Sequence, residues 1–318
     1  MQETMTRRDF IKVAGTSSTL VIGSCFFGTS LFTTAVAAPR VDIQGLFTTQ
    51  RLNNGVEMPI FGFGAYSTAL GEDKIKNTQA VLEALKIGYK HISVFETEEV
   101  IGNALMQSGI PRDEIFLSLQ LDNKITTEDD FIVAFNESLA KLKTNYVDLL
   151  TIFFPPIDTI NNDIFNQKVN LWQTLEKLYK EKRVKAIGVT NLNRDLFEQF
   201  LPECEIRPMV NQLVLNPYNY DDRLVETSFN RKMQVATFVP FGSGKDLIYE
   251  PTITKIAQKY NKTASQVILR WNLQKGYITF ASSADVNVIK EYSEVFNFML
   301  DAKDMKAISK LKGTQKSK

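Results

Sequence analysis

Val147-Asp148-Leu149-Leu150-Thr151-Ile152-Phe153 and Val184-Lys185-Ala186-Ile187-Gly188-Val189, with the helical run 171–179 between them, form one strand–helix–strand unit. Each flank is a short apolar run of strand length, and the middle has the 3.6-residue period of a helix. The same alternation recurs along the chain. Ile60-Phe61-Gly62-Phe63, His91-Ile92-Ser93-Val94 and Ile115-Phe116-Leu117-Ser118-Leu119 precede the unit. Pro208-Met209-Val210-Asn211, Val235-Ala236-Thr237-Phe238-Val239 and Tyr277-Ile278-Thr279-Phe280 follow it, which makes eight strands. Further helical runs lie at 78–87, 130–142 and 264–273; the second repeats Phe131, Ala134, Phe135, Leu139 and Leu142 on one face. Eight such repeats predict an α/β fold, a closed (β/α)8 barrel of the TIM type, with a doubly wound open sheet as the alternative. Asn53-Asn54-Gly55, ahead of the first strand, predicts an N-terminal β-hairpin over one end of the barrel. No glycine-rich dinucleotide fingerprint follows a strand.

Composition narrows the function classes. The 318 residues are 44% hydrophobic and 23% charged, which excludes a disordered chain and a small disulfide scaffold. Lys and Arg number 37 against 36 Asp and Glu, a balance that argues against a nucleic-acid partner. The single histidine, His91, rules out Ser-His-Asp chemistry unless it is the base, and rules out histidine-rich zinc sites. The two cysteines, Cys25 and Cys204, cannot build a metal cluster, so no metal is expected.

Residues 1–37 differ from the rest. Thr6-Arg7-Arg8-Asp9-Phe10-Ile11-Lys12 resembles a twin-arginine export motif. An uncharged, mildly apolar stretch follows, closed by Ala35-Val36-Ala37, a small-residue cleavage site. The expectation is a twin-arginine signal over 1–37, a mature barrel over 38–318, and a periplasmic location. Membrane attachment would occur only through an uncleaved N-terminus, since the uncharged run is long enough to span a bilayer.

Several segments resemble aldo-keto reductases. They include Leu52-Asn53-Asn54-Gly55-Val56-Glu57-Met58-Pro59, Gly88-Tyr89-Lys90-His91-Ile92, and Gly109-Ile110-Pro111-Arg112-Asp113-Glu114-Ile115-Phe116. Val184-Lys185-Ala186-Ile187-Gly188-Val189-Thr190-Asn191, Val210-Asn211-Gln212 and Pro240-Phe241-Gly242-Ser243-Gly244 continue the match in order, over residues 45 to 312. The resemblance implies NADPH-dependent carbonyl reduction at the C-terminal ends of the strands, by Asp, Tyr, Lys and His. At those positions this chain has Ser93 for Asp, Gln120 for Lys and Phe153 for His; the Tyr falls in a gap within Val94-Phe95-Glu96-Thr97-Glu98-Glu99-Val100. The cofactor side is better kept: Thr190, Asn191 and Gln212 match positions that hold the nicotinamide amide, Phe238 can stack on its ring, and Ser243 lies in the matching loop. Toward the adenine end Ser282, Val288 and Tyr292 replace Lys, Arg and Asn. The resemblance implies NADP or NAD as cofactor; losing two cations weighs against tight NADPH binding and shifts the expectation toward NAD or no dinucleotide.

From these replacements we expect an exported barrel without standard carbonyl reductase activity, binding a small molecule or a protein partner. The alternative is an NAD(P)-dependent oxidoreductase with altered catalytic residues, loaded with cofactor before export. Tyr66 is the nearest phenol that could reach the pocket, and packing is the preferred reading of it over proton donation. His91 is expected to be structural, Glu96, Glu98 and Glu99 to form the first turn of a helix, Cys204 to be inert, and Trp172 and Trp271 to lie in the core.

Overall fold

Gly55 sits at φ +89°, the left-handed geometry that the Asn53-Asn54-Gly55 turn needs and that residues with a Cβ resist. The turn joins β1 (Thr49–Arg51) to β2 (Glu57–Pro59) in an antiparallel hairpin. The computed structural model describes residues 42–242 and 246–314. The expected signal over 1–37 and the candidate Ser243 both lie outside the described residues.

Eight parallel strands follow: β3 (Phe61–Tyr66), β4 (His91–Phe95), β5 (Phe116–Gln120), β6 (Val147–Phe153), β7 (Val184–Thr190), β8 (Val210–Leu213), β9 (Gln234–Thr237) and β10 (Ile278–Ala281). They close in the order β10-β3-β4-β5-β6-β7-β8-β9, so the barrel is closed and the open-sheet alternative is excluded. Crossover helices cover the outside. Their starts are fixed by side chains that accept backbone N–H groups: Asp73 before Lys74–Ile87, Thr127 before Glu128–Leu142, Asn161 before Asn162–Lys180, and a Thr263/Gln266 capping box before Ala264–Gln274. Each such cap is worth about 1 kcal/mol. The helix ending at Lys180 begins nine residues before the expected run at 171; Phe165, Val169 and Trp172 extend the helical spacing back toward the Asn161 cap.

Two strand boundaries move. The strand expected at 60–63 continues to Tyr66, since Ala65 and Tyr66 pair with Val94 and Phe95 of β4. The strand expected at 208–211 shifts to β8, Pro208 having no N–H to give a neighbour. Trp172 and Trp271 are fully buried, as expected.

The hairpin covers the N-terminal end of the barrel. Met58 is fully buried there, and Asn53 Nδ2 and Asn54 Nδ2 donate to the carbonyls of Pro208 (3.1 Å) and Lys185 (2.9 Å). With that end closed, ligand access falls to the C-terminal strand ends.

Candidate active site

At the C-terminal ends every barrel strand contributes to one cavity of about 420 Å³. Tyr66 comes from β3, Ser93 from β4, Gln120 from β5, Phe153 from β6, Thr190 from β7 and Gln212 from β8. Phe238 follows β9 and Ser282 follows β10. Alternation explains the selection: Ser118 and Gln120 lie two apart on β5 and both face inward, while Leu119 also reaches the lining. Phe95, Phe241 and Phe280 supply apolar wall, and among the described residues no Asp, Glu, Lys, Arg or His lines the cavity.

Ser93, Gln120, Phe153, Thr190, Gln212 and Phe238 are thus brought together. Asn191 is not among the lining residues. Its backbone is left-handed, at φ +63°, its N–H donates to Gln212 O (2.8 Å), and its Nδ2 donates to Phe154 O (2.9 Å). That geometry orients the ends of β7 and β8 from behind. Gln120 Nε2 donates to Asn123 Oδ1 at 3.2 Å, and Thr190 Oγ1 approaches Thr151 Oγ1 at 3.4 Å. The Gln212 side-chain amide has no hydrogen-bond partner among the described residues, although the residue is buried.

Tyr66, for which packing is the preferred reading, lines the cavity and does pack. Its ring lies against Gly64, where a Cβ would fall 2.6 Å from Tyr66 Cε2 and 2.5 Å from Ser282 Oγ. Ser282 Oγ donates to Gly64 O at 2.5 Å, so its hydroxyl proton is committed to the backbone. The Tyr66 hydroxyl is buried without a hydrogen-bond partner of good geometry among the described residues. Burial holds its pKa well above the ordinary phenol value, and the neighbouring Ser93 hydroxyl partly opposes that shift.

His91 lies below the cavity and is fully buried. Pro59 O can only accept, so Nδ1 donates to it (3.0 Å) and Nε2 accepts from Ser118 Oγ (2.5 Å). Phe116 and Phe280 pack edge-on at 4.7 and 4.6 Å. Burial lowers its pKa to about 4, which keeps the ring neutral. Glu98 and Glu99 open the helix Glu98–Ser108, and Glu99 pairs with Lys74 at 2.6 Å; Glu96, expected in the same turn, lies before the helix in left-handed backbone (φ +57°) and accepts from Ser67 Oγ at 2.7 Å. Only Glu96 and Thr97 separate β4 from that helix; Thr97 Oγ1 donates to Ala65 O at 2.6 Å, which draws the short connection onto β3. Burial pushes the Cys204 thiol up to about 12, so it is unreactive. Among the described residues no group of three or more His, Cys, Asp or Glu could hold a metal, and no helix is long and apolar enough to cross a membrane.

The residues fit the nicotinamide end of a dinucleotide. Thr190 and Gln212 are direct partners across β7 and β8, so a hydroxyl and an amide without a partner among the described residues stand side by side in the cavity that Phe238 also lines. A flat ring bearing a carboxamide meets each of these groups. The phosphate end is a poorer match: Ser282 donates to the backbone, and Tyr292 is packed on Phe241 at 5.5 Å.

The profile described as "Aldo/keto reductase family" matches residues 61–312. Glyoxal reductase of Bacillus subtilis (strain 168) is 35% identical over 266 residues, covering 83% of this chain and 92% of that protein. An aldo-keto reductase enzyme, MGS-M4, from a Medee basin deep-sea metagenome library superposes with a TM-score of 0.77 at 32% identity, covering 85% of this chain and 97% of that one. The Bombyx mori aldo-keto reductase AKR2E4, solved in complex with NADP, gives 0.76 at 28% identity, covering 86% and 95%. These relatives are named as reductases and are matched over nearly their whole length. They overturn the expectation of a barrel without carbonyl reductase activity and favour the oxidoreductase alternative. The inference from missing side chains failed because it counted replaced groups and not the polar groups that remain in the cavity. With 61–312 matched by the profile and the closed barrel matched by solved members, the chain belongs to the aldo/keto reductase family.

Proposed function

We propose that this chain is a nicotinamide-dependent carbonyl oxidoreductase whose reacting groups differ from the Asp, Tyr, Lys and His that the family resemblance implies. The observation that carries this reading is the Gln212 amide, without a hydrogen-bond partner among the described residues, beside Thr190 in a cavity that Phe238 also lines, at the C-terminal mouth of a closed barrel. Gln212 and Thr190 hold the carboxamide of the nicotinamide, Asn191 fixes the two strand ends, and Phe238 covers the ring. When bound, the reduced cofactor supplies a hydride. Phe95, Phe153 and Phe241 exclude water, which strengthens every remaining polar contact to the carbonyl oxygen. Ser93 and Gln120 stand where Asp and Lys are expected, so the cavity is neutral where the resemblance implies an ion pair. Losing both charges together avoids the penalty of a single buried, unpaired one.

AKR2E4 was solved with NADP, and the same class of cofactor is proposed here. With Ser282 and Val288 in place of the cations expected to face the 2′-phosphate, NADPH and NADH are expected to bind within about tenfold of each other, each lost charged hydrogen bond being worth about 1.5–3 kcal/mol. Residues 1–37 are proposed to be a twin-arginine signal, supported by Arg7-Arg8 and Ala35-Val36-Ala37, which would export the barrel folded and already loaded.

The test is a fluorescence titration of the purified mature protein with NADPH and NADH, followed by turnover of glyoxal. Binding of either nucleotide together with turnover supports the reading. Absence of binding for both overturns it. Mass spectrometry of the N-terminus decides the signal separately: an intact residue 1 in envelope-extracted protein contradicts cleavage after 37.

A further inference from the structure

We infer that Tyr66 is the proton donor of this cavity, and that the site therefore works best on uncharged, strongly electrophilic carbonyls. This rests on the oxidoreductase reading above. Tyr66 is the one tyrosine among the described residues that line the cavity. Its hydroxyl is buried and has no hydrogen-bond partner of good geometry among them, which for a buried O–H is unfavourable unless a ligand accepts from it. The ring is held rigidly. It ends a barrel strand paired with β4 at Phe95 and rests on Gly64, where no Cβ could be accommodated.

The chemistry follows from the surroundings. A bound reduced nicotinamide would supply the hydride: its ring C–H bond would break as the ring is oxidised, and a new C–H bond would form at the carbonyl carbon as the π pair of the C=O moves onto oxygen. The Tyr66 O–H bond then breaks and its proton forms the alcohol O–H. The phenolate left behind accepts a hydrogen bond from the Ser93 hydroxyl and takes a proton from water when the product leaves. An alkoxide is a stronger base than a phenolate, even one whose pKa burial has raised, so the transfer runs downhill. Among the described residues no cation lines the cavity to make the phenol more acidic. The donor therefore protonates late, after charge has built up on oxygen. Carbonyls that stabilise such charge themselves, α-dicarbonyls above all, gain most. An uncharged lining also disfavours carboxylate-bearing substrates, whose desolvation nothing offsets.

The experiment uses Tyr66→Phe in the full mature protein. Nucleotide affinity by fluorescence is expected to stay within about twofold of wild type, and turnover of an α-dicarbonyl to fall by about 10²-fold or more, the usual contribution of a positioned general acid. A second variant carries 3-fluorotyrosine in place of Tyr66. Its ¹⁹F resonance is expected to shift when the dicarbonyl is added to the complex with oxidised nucleotide, and its more acidic phenol to restore turnover fully. Turnover of Tyr66→Phe within about threefold of wild type, or a ¹⁹F resonance indifferent to the dicarbonyl, overturns the inference and leaves the oxidoreductase reading standing. A wild type that binds neither nucleotide removes both.

Discussion

At the N-terminal end of the barrel Asp148 accepts from Arg112 Nη2 (2.8 Å), Lys185 Nζ (2.9 Å) and the Leu117 N–H (2.9 Å), and both cations lie over the Tyr146 ring at 4.2 and 4.5 Å. At the C-terminal end no charged side chain among the described residues lines the cavity, and among them the buried Tyr66 hydroxyl has no hydrogen-bond partner. One end holds a buried charge with its partners in place, although the side-chain oxygens of Gln50 and Gln234 there also lack a partner among the described residues; the other end is lined by neutral groups alone. Buried polar atoms without partners weaken a fold, and satisfied ones do not. The contrast therefore assigns stability to the hairpin-covered end and ligand binding to the open one. It predicts that substitutions at the two ends separate in what they change.

The largest expected effect is at the satisfied end. Asp148→Ala strands the Leu117 N–H in a buried position and leaves two cations facing each other across Tyr146. Stability should fall by about 3–5 kcal/mol, the cost of breaking a buried ion pair. It should appear in a urea melt as a lower midpoint with an unchanged slope. Nucleotide affinity, set at the opposite end, should not change. A loss below about 1 kcal/mol, the range of exposed pairs, would break the division of labour.

Next comes His91, which lies between the two ends. The folded protein holds it neutral to about pH 4, whereas the unfolded chain takes up a proton near 6.5. Above 6.5 both states are neutral and the folded one is not penalised. As pH falls from 6.5 to about 4 only the unfolded state gains the proton, so stability declines through that window, by about 3 kcal/mol in all. Thermal melts at pH 7, 5.5 and 4.5 check this, with His91→Gln as the control that should flatten the slope. A wild-type slope equal to that of the control would show the ring to be protonated inside the fold.

Much of this contrast was legible in the sequence. Period two placed all eight strands, but it was the resemblance to aldo-keto reductases that named Ser93, Gln120, Phe153, Thr190 and Gln212, which the structure gathers at one cavity. Asn53-Asn54-Gly55 specified the hairpin because its turn chemistry is local. Asn191 escaped, since a left-handed backbone at φ +63° turns its side chain toward Phe154 O and leaves no mark on hydropathy. That Tyr66 ends a strand was not legible, because Gly62 and Gly64 interrupt the strand pattern; pairing with β4, a tertiary fact, extends β3 to the rim. The link from Ser118 to His91 joins neighbouring strands and has no sequence signature. Activity was misjudged for a related reason: four replaced side chains describe what left the site, not the hydrogen-bonding groups that remain.

The smallest effect sharpens the comparison most. Gly55 is at φ +89°, and the atom nearest the place a methyl group would take there is Arg51 Nη2, at 3.4 Å. Space is therefore adequate, and the cost of Gly55→Ala is conformational, about 1 kcal/mol from forcing a Cβ into left-handed backbone. The hairpin joins the barrel floor through Asn53, Asn54 and the buried Met58, contacts that do not pass through residue 55 itself. A loss near 1 kcal/mol with unchanged nucleotide affinity means the cover yields locally while the cavity keeps its shape. A loss of affinity at that same small cost would mean that the two ends are coupled through the strands, and that neutral groups at the mouth depend on the packing of the floor.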